Sequence, residues 1–322
     1  MTNTDYRPSM TLDLAMSKAE MIGDIRQFFK NRDVLEITTP ILSNHGNTDI
    51  FIESVSVNFK QAGKLKTGYL HTSPEFAMKR VLADYQIPIY QICQVFRDNE
   101  KGHKHNIEFT MLEWYRPHFS LDDLANELNA LIGVALHKNL PFKTYRYTQA
   151  FMDMLGIHPF SADIETLQQT ALKQGINLDM GDDKQGWLDL LFSHVIEPTL
   201  GFDLPTLITD YPVATASLAK VATDVDGHAV AKRFELYING IEIANAYDEL
   251  ASGDELYRRF TQDNIERAKL GLPTMPIDTN LIRACDDLPP CSGIALGLDR
   301  LFMVRERLTD ISGAVIMMTD RA

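Results

Sequence analysis

The sequence is poor in three features, and each scarcity narrows the class of protein. Its 322 residues include only three cysteines, Cys93, Cys285 and Cys291, without a CxxC pair. Free thiols in a reducing cytosol are favoured over a Cys285–Cys291 bridge. No apolar run approaches the length of a membrane helix, about 18 residues, and the start, MTNTDYRPSM, lacks the basic and apolar regions of a signal peptide. A cytoplasmic protein without a membrane segment is therefore predicted.

Basic charge is the third scarce feature. The chain has 31 basic and 44 acidic side chains, which gives a net charge of −13. Sequence-independent nucleic-acid binding needs a basic surface to neutralise phosphates, so this balance argues against it. A small anionic ligand held by a few arginines stays compatible with such a chain.

The composition that is present is typical of a globular protein. Hydrophobic residues make up 45% and charged residues 23% of the chain, which are ordinary values for a folded soluble protein. At about 150 residues per domain the length suggests two domains, although one large domain is equally allowed.

Helices are predicted where apolar residues recur at three- and four-residue spacing or where a capping residue precedes such a pattern. They cover about 12–30, 120–137, 161–173, 187–195 and 252–270, and another follows residue 297. The middle third carries few chemically reactive residues. It is predicted to be a helical insertion at about 150–209 within a single domain, 1–322.

Strands are predicted at 36–42, 88–96, 109–116 and 293–297, and on both sides of the Asn239-Gly240 turn. Pro40 restricts the first of these to a sheet edge or an interface. Strand runs outnumber βαβ alternations, so the sequence favours an α+β fold, an antiparallel sheet flanked by helices, over a doubly wound sheet.

The loop between the strands at 88–96 and 109–116 is rich in basic residues. Arg97 ends the first strand, Glu108 and Glu113 lie on the returning one, and Lys101, His103, Lys104 and His105 lie between them. A guanidinium can bind a phosphate through two parallel hydrogen bonds. An anion site is one interpretation, and a solvated charged loop is the other.

Three glutamates surround the second predicted hairpin. Glu235 and Glu242 flank the Asn-Gly turn, and Glu249 follows, with Asn245 between the last two. Across a tight hairpin Glu235 and Glu242 fall on different strands and can converge on one face. Carboxylate oxygens suit Mg²⁺, which bridges nucleotide phosphates. The alternative is that these glutamates face solvent.

Two shorter stretches also suggest ligand contacts. In GIALGLDR, Gly293 and Gly297 allow close backbone approach and Arg300 lies in the first helical turn, which suits an anionic or planar ligand. TSPE, residues 72–75, predicts a helix start with Pro74 at the first position. A surface arginine and a simple helix cap are the structural alternatives.

Together these stretches resemble the class II aminoacyl-tRNA synthetases. FRDNEKGHKHNIEFTMLEWYR resembles their motif 2, GIALGLDRLFMV resembles motif 3, and EITTPIL resembles the dimer-interface motif 1. RFELYINGIEIANAYDEL is similar to the lysyl branch in particular. The resemblance covers about the whole chain. It implies a class II catalytic domain, a homodimer, and ATP and Mg²⁺ as cofactors.

The position of motif 1 distinguishes two groups within the lysyl branch. Lysyl-tRNA synthetases carry a large anticodon-binding barrel before motif 1, whereas Pro40 leaves room here for one helix, so no anticodon-binding domain is expected. The EWYRP run, and Ala295 in place of the usual glycine, are similar to the elongation factor P–(R)-β-lysine ligases. That family adenylates a β-lysine and transfers it to a lysine side chain of elongation factor P.

The resemblance also implies roles for individual residues. Arg97 would be the catalytic residue, holding the α-phosphate and the substrate carboxylate, and Phe109 and Arg300 would sandwich the adenine. The other nucleotide contacts implied are Asp98, Asn99, Glu100, His105, Asn106, Glu242, Ile243 and Gly297, and the metal ligands are Glu235 and Glu242. The amino-acid contacts implied are Ser73, Pro74, Glu75, Glu113, Tyr115, Asn245, Glu249 and Ala295.

Within that set, Ser73 and Glu75 would face the amino group near the carboxylate, and Tyr115 and Glu249 the terminal ammonium. Two residues depart from the lysyl pattern. Asn99 replaces a glutamate, with Glu100 beside it, and Ile107 replaces a proline.

The expected function is activation of (R)-β-lysine or lysine as an aminoacyl-adenylate, followed by transfer to elongation factor P. Alternatives are a truncated synthetase that charges tRNA or a free amine, and a catalytically silent paralogue that acts as a binding module. A silent paralogue is disfavoured because five motif residues are retained: Arg97, Glu235, Glu242, Glu249 and Arg300. The acidic charge and the missing anticodon domain argue against tRNA.

Overall fold

The computed structural model describes residues 6–322. Within this range, none of the helices has the length and apolar character needed to cross a membrane. Cys93, Cys285 and Cys291 are free thiols, as predicted. The helices are α1 Leu12–Lys30, α2 Glu75–Tyr85, α3 Leu121–Leu136, α4 Tyr147–Leu155, α5 Ile164–Lys173, α6 Lys184–Leu191, α7 Gly253–Lys269, α8 Thr279–Cys285 and α9 Leu298–Glu306.

The strands are mostly longer toward the middle and the end of the chain. They are β1 Leu35–Glu36, β2 Leu42–Ser43, β3 Ser56–Gln61, β4 Lys64–Leu70, β5 Ile89–Phe96, β6 Glu108–Pro117, β7 Lys143–Arg146, β8 Thr206–Pro212, β9 Val221–Thr223, β10 Ala229–Ile238, β11 Ile241–Asp248 and β12 Cys291–Gly297.

The chain forms two compact units. The first unit runs to Asn139 and resumes at Glu249, and the second is Leu140–Asp248. In the first unit the strand order is β1-β5-β6-β12, with β1 parallel to β5 and the other pairs antiparallel. A separate three-stranded antiparallel sheet has the order β2-β4-β3.

In the second unit the strand order is β11-β10-β8-β7, and β9 pairs with β10. Only β7 and β8 are parallel among the pairs described there. Antiparallel pairs thus predominate in both units, with helices packed around them. The predicted α+β class is confirmed.

The core of the first unit fixes the β5–β6 hairpin against α1. Phe29 of α1 stacks on Tyr90 of β5 with ring centroids 4.4 Å apart and meets Trp114 of β6 edge-on at 5.4 Å. All three side chains are buried. Aromatic packing of this kind contributes beyond the buried area alone, so it holds the strand that precedes Arg97 and the strand that carries Glu113.

The Asn-Gly turn between β10 and β11 forms as predicted. Asn239 has φ 53° and Gly240 has φ 68°, the left-handed conformation that a tight hairpin turn requires at both central positions. Because both residues tolerate positive φ, the dipeptide was sufficient to predict the turn, and the N–H groups of both also donate to the carbonyls of Gly201 and Leu200.

Two predictions were wrong in part. The strand expected at 36–42 is two short pieces, because Glu36 pairs with β5 while Leu42 pairs with β4, and Pro40 between them has no N–H for a ladder. The helix expected at 187–195 ends at Leu191 and continues as a π-helical turn, Phe192–Ile196.

Candidate active site

Five side chains of the first unit form a buried group, termed here the acidic cluster. Lys79 Nζ lies 2.7 Å from Glu75 Oε1 and 2.6 Å from Glu249 Oε2. The Tyr115 hydroxyl donates a 2.5 Å hydrogen bond to Glu113 Oε1. Lys79, Glu113, Tyr115 and Glu249 are each at most 2% exposed.

Simple periodicity explains how the sequence brings these side chains together. Glu75 and Lys79 are four residues apart on α2 and therefore share one face of that helix. Glu113 and Tyr115 are two residues apart on β6 and therefore project from one face of the sheet. Glu249 follows β11 directly, and its N–H donates to the Cys291 carbonyl at the start of β12.

Charge is not balanced within the acidic cluster. Burial, followed by repulsion from Glu75, raises the pKa of the Glu113 carboxyl well above its usual value. Burial opposes the charged form of Lys79, but the carboxylates of Glu249 and Glu75 outweigh it and raise the pKa of that ammonium. Three carboxyl groups face one ammonium, so the cluster is suited to receive a further cation.

One oxygen in the acidic cluster has no hydrogen bond. Glu113 Oε2 is buried and lacks a partner among residues 6–322. Buried polar atoms are nearly always hydrogen-bonded in folded proteins. An ammonium group of a ligand would supply the missing donor.

Gly293 on β12 allows the acidic cluster to close. A Cβ atom at this position would lie 2.3 Å from Glu249 Oε1 and 2.4 Å from Tyr115 Cε1. In the β6–β12 ladder Gly293 pairs with Tyr115, and Ala295 pairs with Glu113. Successive residues of a strand point to opposite faces, so Ser292 and Ile294 face away from the cluster. The strand β12 therefore presents the small residues Gly293 and Ala295 to it.

Arg97 follows β5 at the edge of the first unit's sheet. Its Nε donates a 3.4 Å hydrogen bond to the Thr72 carbonyl, and its NH1 lies 3.6 Å from Glu100 Oε1. Its guanidinium carbon is 5.3 Å from the centre of the Phe109 ring. Thr72 directly precedes Ser73, whose hydroxyl accepts a 3.3 Å hydrogen bond from the N–H of Glu75. Pro74 lies between them, just before α2 begins rather than inside it.

The residues after Arg97 turn away from it except for Glu100. Asn99, at φ 59°, donates from Nδ2 to Glu53 Oε2 at 2.6 Å. The N–H of Asp98 donates to the Glu53 carbonyl. Glu53, Asp98, Asn99 and Glu100 all line a cleft of about 230 Å³. Of the two candidates for the motif 2 glutamate, Glu100 is therefore the one beside Arg97.

Arg300, in the first turn of α9, holds the end of the hairpin loop. Its NH2 lies 2.5 Å from His105 Nε2, and its Nε donates to the Lys104 carbonyl at 3.3 Å. Burial lowers the pKa of His105, and the Arg300 charge lowers it further, so the imidazole is a neutral acceptor. Asn106 is buried and donates from Nδ2 to the Glu108 carbonyl at 2.7 Å. Gly297, the last residue of β12, precedes this helix.

Glu235 and Glu242 lie in the second unit. Glu235 Oε2 accepts 2.5 Å hydrogen bonds from the hydroxyls of Tyr211 and Tyr237, and Arg233 donates to Oε1. Burial raises the pKa of Glu235, Arg233 acts against this, and the charge of Glu242 raises it again. A β-bulge between Leu236 and Tyr237 shifts the register. The two carboxylates are thus electrostatic neighbours although their spacing is odd.

The carboxylates of Glu235 and Glu242 fit Mg²⁺, because a divalent cation would offset the repulsion between them. Within residues 6–322 the protein brings together no group of three or more side chains able to hold a metal. Mg²⁺ usually takes one or two carboxylates and completes its shell with water and substrate phosphates. Glu242 and Glu235 Oε1, which accepts from Arg233, are the ligands available.

Two further candidates lie on β11. Asn245 donates from Nδ2 to the Tyr247 hydroxyl at 3.1 Å. Its Oδ1 is buried, and the described part of the chain supplies no donor to it. Ile243 is buried and can offer only its backbone to a polar ligand.

Comparison with known proteins shows the family of the chain. The family of class II tRNA synthetases (D, K and N) matches residues 3–317. The chain belongs to this family. Among the relatives of this class II synthetase are elongation factor P–(R)-β-lysine ligases from three bacteria. That of Actinobacillus succinogenes is 41% identical over 317 residues, 97% of both chains. That of Yersinia pestis is 44% identical over 314 residues, 95% of this chain and 96% of its own, and that of Yersinia pseudotuberculosis gives the same values.

Two buried charged residues of this class II synthetase were not singled out from the sequence. Lys79 has the spacing of an ordinary surface pair with Glu75, and only its burial distinguishes it. Asp299 accepts from Lys18 Nζ at 2.5 Å and from the Thr110 N–H at 2.8 Å, and so joins α9 to α1 and β6. Its signal was its place beside Arg300 in motif 3.

Proposed function

We propose that the chain is an ATP-dependent ligase that activates (R)-β-lysine, or lysine, as an aminoacyl-adenylate and transfers it to a lysine side chain of elongation factor P. The acidic cluster is the observation that carries this proposal. It combines the buried carboxyl groups of Glu113 and Glu249, the partly buried carboxyl group of Glu75, one ammonium and an unsatisfied Glu113 oxygen. The names of the relatives support the same substrate and acceptor.

The acidic cluster binds the substrate's amino groups. Glu249 and Tyr115 receive the terminal ammonium, with Glu113 supplying its unsatisfied oxygen. Glu75, Ser73 and Pro74 at the start of α2 face the amino group nearer the carboxylate. Ala295 leaves room beside Glu113. In the second unit, Asn245 is a candidate acceptor through its buried Oδ1. A desolvated carboxylate rejects substrates without a matching cation, because it would remain unpaired.

Arg97 stabilises the charge that develops during adenylation. A carboxylate oxygen of the substrate attacks the α-phosphorus of ATP, the bond to the bridging oxygen breaks, and pyrophosphate leaves. Arg97 binds both the α-phosphate and the attacking carboxylate, which is the type of stabilisation that dominates phosphoryl and acyl transfer. Glu100 orients the Arg97 guanidinium from 3.6 Å. Asp98 and Asn99 contribute to the same loop.

The nucleotide is held by the hairpin loop and α9. Phe109 and Arg300 enclose the adenine, and Gly297 permits its close approach to β12. His105 and Asn106 hold the loop in position through Arg300 and the Glu108 carbonyl. In the second unit, Glu242 and the backbone of Ile243 are the candidate nucleotide contacts. When bound by Glu235 and Glu242, Mg²⁺ would neutralise phosphate charge.

In the second step the amine of an elongation factor P lysine attacks the carbonyl carbon of the mixed anhydride. The carbonyl–oxygen bond to AMP breaks, AMP leaves, and the amine loses a proton as the amide forms. The reaction uses no side-chain nucleophile of the enzyme. A cytoplasmic location agrees with the three free thiols.

The enzyme assembles as a homodimer through the segment around Pro40. Leu35, Ile41 and Leu42 are each at least 40% exposed, an apolar stretch that a two-fold interface would bury. Sedimentation at micromolar concentration distinguishes this dimer from a fully active monomer.

Pyrophosphate exchange tests the proposed chemistry. Exchange is measured with (R)-β-lysine, with lysine and without an amino acid, and labelled amino acid is then offered to elongation factor P or to tRNA. The proposal expects amino-acid-dependent exchange and label on elongation factor P. Arg97→Ala should abolish exchange, and Lys101→Ala, which removes an exposed ion pair, is the control. Label on tRNA would favour a truncated synthetase, and absence of exchange would indicate a silent paralogue.

A further inference from the structure

Lys79 is a buried charge that the proposed chemistry does not use. Its side chain is 1% exposed, although lysine is among the residues least often fully buried. Its Nζ contacts Glu75 Oε1 at 2.7 Å and Glu249 Oε2 at 2.6 Å. One ammonium thus contacts both Glu75 and Glu249. In the proposed function these two carboxylates bind the two different amino groups of the substrate.

Stability alone is a poor explanation for this arrangement. Removing two or three ions from water costs several kcal/mol each, and an apolar replacement of similar volume is often as stable or more stable. The contacts of Lys79 are also directed: both are at hydrogen-bond distance and both are to groups of the acidic cluster. A side chain that only filled space would not need an ammonium there.

We propose that Lys79 is a positioning residue that fixes the direction of the Glu75 and Glu249 carboxylates for the incoming diamino acid. This inference rests on the proposed function. With Lys79 in place, one ammonium contacts both carboxylates and fixes their separation. That separation then selects a substrate with two amino groups at a matching distance.

The groups that face Lys79 come from several elements. Cys285 on α8 is a neutral thiol, because burial raises its pKa to about 11. Tyr115 stays a neutral phenol, because burial raises its pKa as well. The acidic groups around Lys79 are Glu75 on α2, Glu113 on β6 and Glu249 after β11.

The consequence is a defined pH effect. A carboxylate that loses an opposite charge at hydrogen-bond distance takes up its proton at a pH higher by about one to three units. Without Lys79, the acidic cluster should therefore lose its ability to bind an ammonium on acidification at a higher pH. Lys79→Met removes the charge and keeps the length, whereas Lys79→Arg keeps the charge.

The experiment is a pH profile of kcat/KM for (R)-β-lysine in pyrophosphate exchange. In Lys79→Met the acidic limb should move to higher pH by at least about one unit, which corresponds to about a tenfold loss below the limb. In Lys79→Arg the limb should stay at the wild-type pH, even if the rate is lower. The Kd for ATP without amino acid should stay within about twofold of wild type in both.

Arg80→Met is the matched control. Arg80 neighbours Lys79 on α2 but is 47% exposed and 3.8 Å from Asp278, so its loss removes the same charge outside the cluster and should not move the limb. If Lys79→Met does not fold, Lys79→Gln replaces it, since its amide donates hydrogen bonds without charge.

An unmoved limb in an active Lys79→Met or Lys79→Gln enzyme would overturn the positioning role. An equal weakening of ATP binding would overturn it as well, because it indicates general damage to the first unit. Absence of amino-acid-dependent exchange in the wild type would instead refute the proposed function, and the role of Lys79 with it.

Discussion

At the scale of single residues, Gly293 shows how a missing side chain shapes the candidate site. Its position in β12 needs no unusual backbone angle, and its importance lies in what surrounds it. Glu249 Oε1 and Tyr115 Cε1 would lie 2.3 and 2.4 Å from a Cβ atom there. Both of these side chains are buried and cannot move outward.

Gly293→Ala should therefore impair amino-acid activation more than ATP binding. The added methyl group displaces Glu249 and Tyr115, and a misplacement of about 1 Å can cost about a hundredfold in rate. Pyrophosphate exchange and calorimetric ATP binding measure the two effects separately.

Gly23→Ala is the control for that variant. Gly23 lies on α1, where a Cβ atom would meet nothing within 4 Å, and alanine should stabilise the helix by about 1 kcal/mol. Wild-type amino-acid kinetics in Gly293→Ala would show that β12 yields easily and that Gly293 does not shape the site.

The candidate residues were only partly accessible from the sequence. The resemblance supplied Arg97, Glu249 and Arg300, because the motifs that carry them are long and ordered. It gave no role to Lys79, because a lysine four residues after a glutamate is typical of an exposed helix pair. Its burial is a consequence of where α2 packs, which local spacing does not encode.

At the scale of elements, the capping of α3 links a short sequence signal to stability. Ser120 Oγ accepts from the Asp123 N–H at 3.1 Å, and Asp123 Oδ2 accepts from the Ser120 N–H at 3.0 Å. This reciprocal pair forms a capping box. It anchors a helix whose Leu124, Leu128 and Leu131 are fully buried.

Ser120→Ala should lower the free energy of unfolding by about 1 kcal/mol, as measured by chemical denaturation. Thr11→Ala, at the start of α1, should cost less, because its single capping bond is long, at 3.4 Å. Equal losses in the two variants would mean that the reciprocal bond adds nothing.

Elements defined by local signals were predicted well, and those defined by their partners were not. The boundaries of α1 and the β10–β11 turn follow from apolar spacing and from Asn239-Gly240. The segment 36–42 has β-branched residues, yet it splits because its ends pair with different strands. The π-helical turn after α6 likewise has no local signal in the sequence.

At the scale of the whole molecule, the buried acidic cluster makes stability depend on pH. Burial and then Glu75 raise the pKa of Glu113 well above its usual value. Between the ordinary glutamate range and this raised value, the folded chain keeps a proton that the unfolded chain releases. Stability contributed by this group is therefore present at low pH and is lost as pH rises.

Glu113→Gln should remove that dependence. The unfolding free energy of wild type, relative to the variant, should fall with rising pH by at most about 1.4 kcal/mol per unit. Denaturation at several pH values above the ordinary glutamate range measures it. Parallel pH profiles for the two proteins would show that Glu113 ionises normally.

Glu249 and Glu242 are proposed to bind different ligands, so variants of the two residues should differ in which ligand they lose. Glu249 lies in the acidic cluster, and Glu242 lies near Glu235. The measurement is kcat/KM for (R)-β-lysine together with the Kd for ATP and Mg²⁺ in Glu249→Gln and Glu242→Gln. Both changes keep the shape and a hydrogen-bonding oxygen but remove the charge.

Glu249→Gln should lower kcat/KM for (R)-β-lysine by about a hundredfold or more, because the ammonium loses its charged partner. The affinity for ATP should be nearly unchanged. Glu242→Gln should weaken Mg²⁺-dependent use of ATP with every amino acid offered. If Glu249→Gln instead raised the Kd for ATP and left amino-acid selection intact, the acidic cluster would not be the site that recognises the ammonium group.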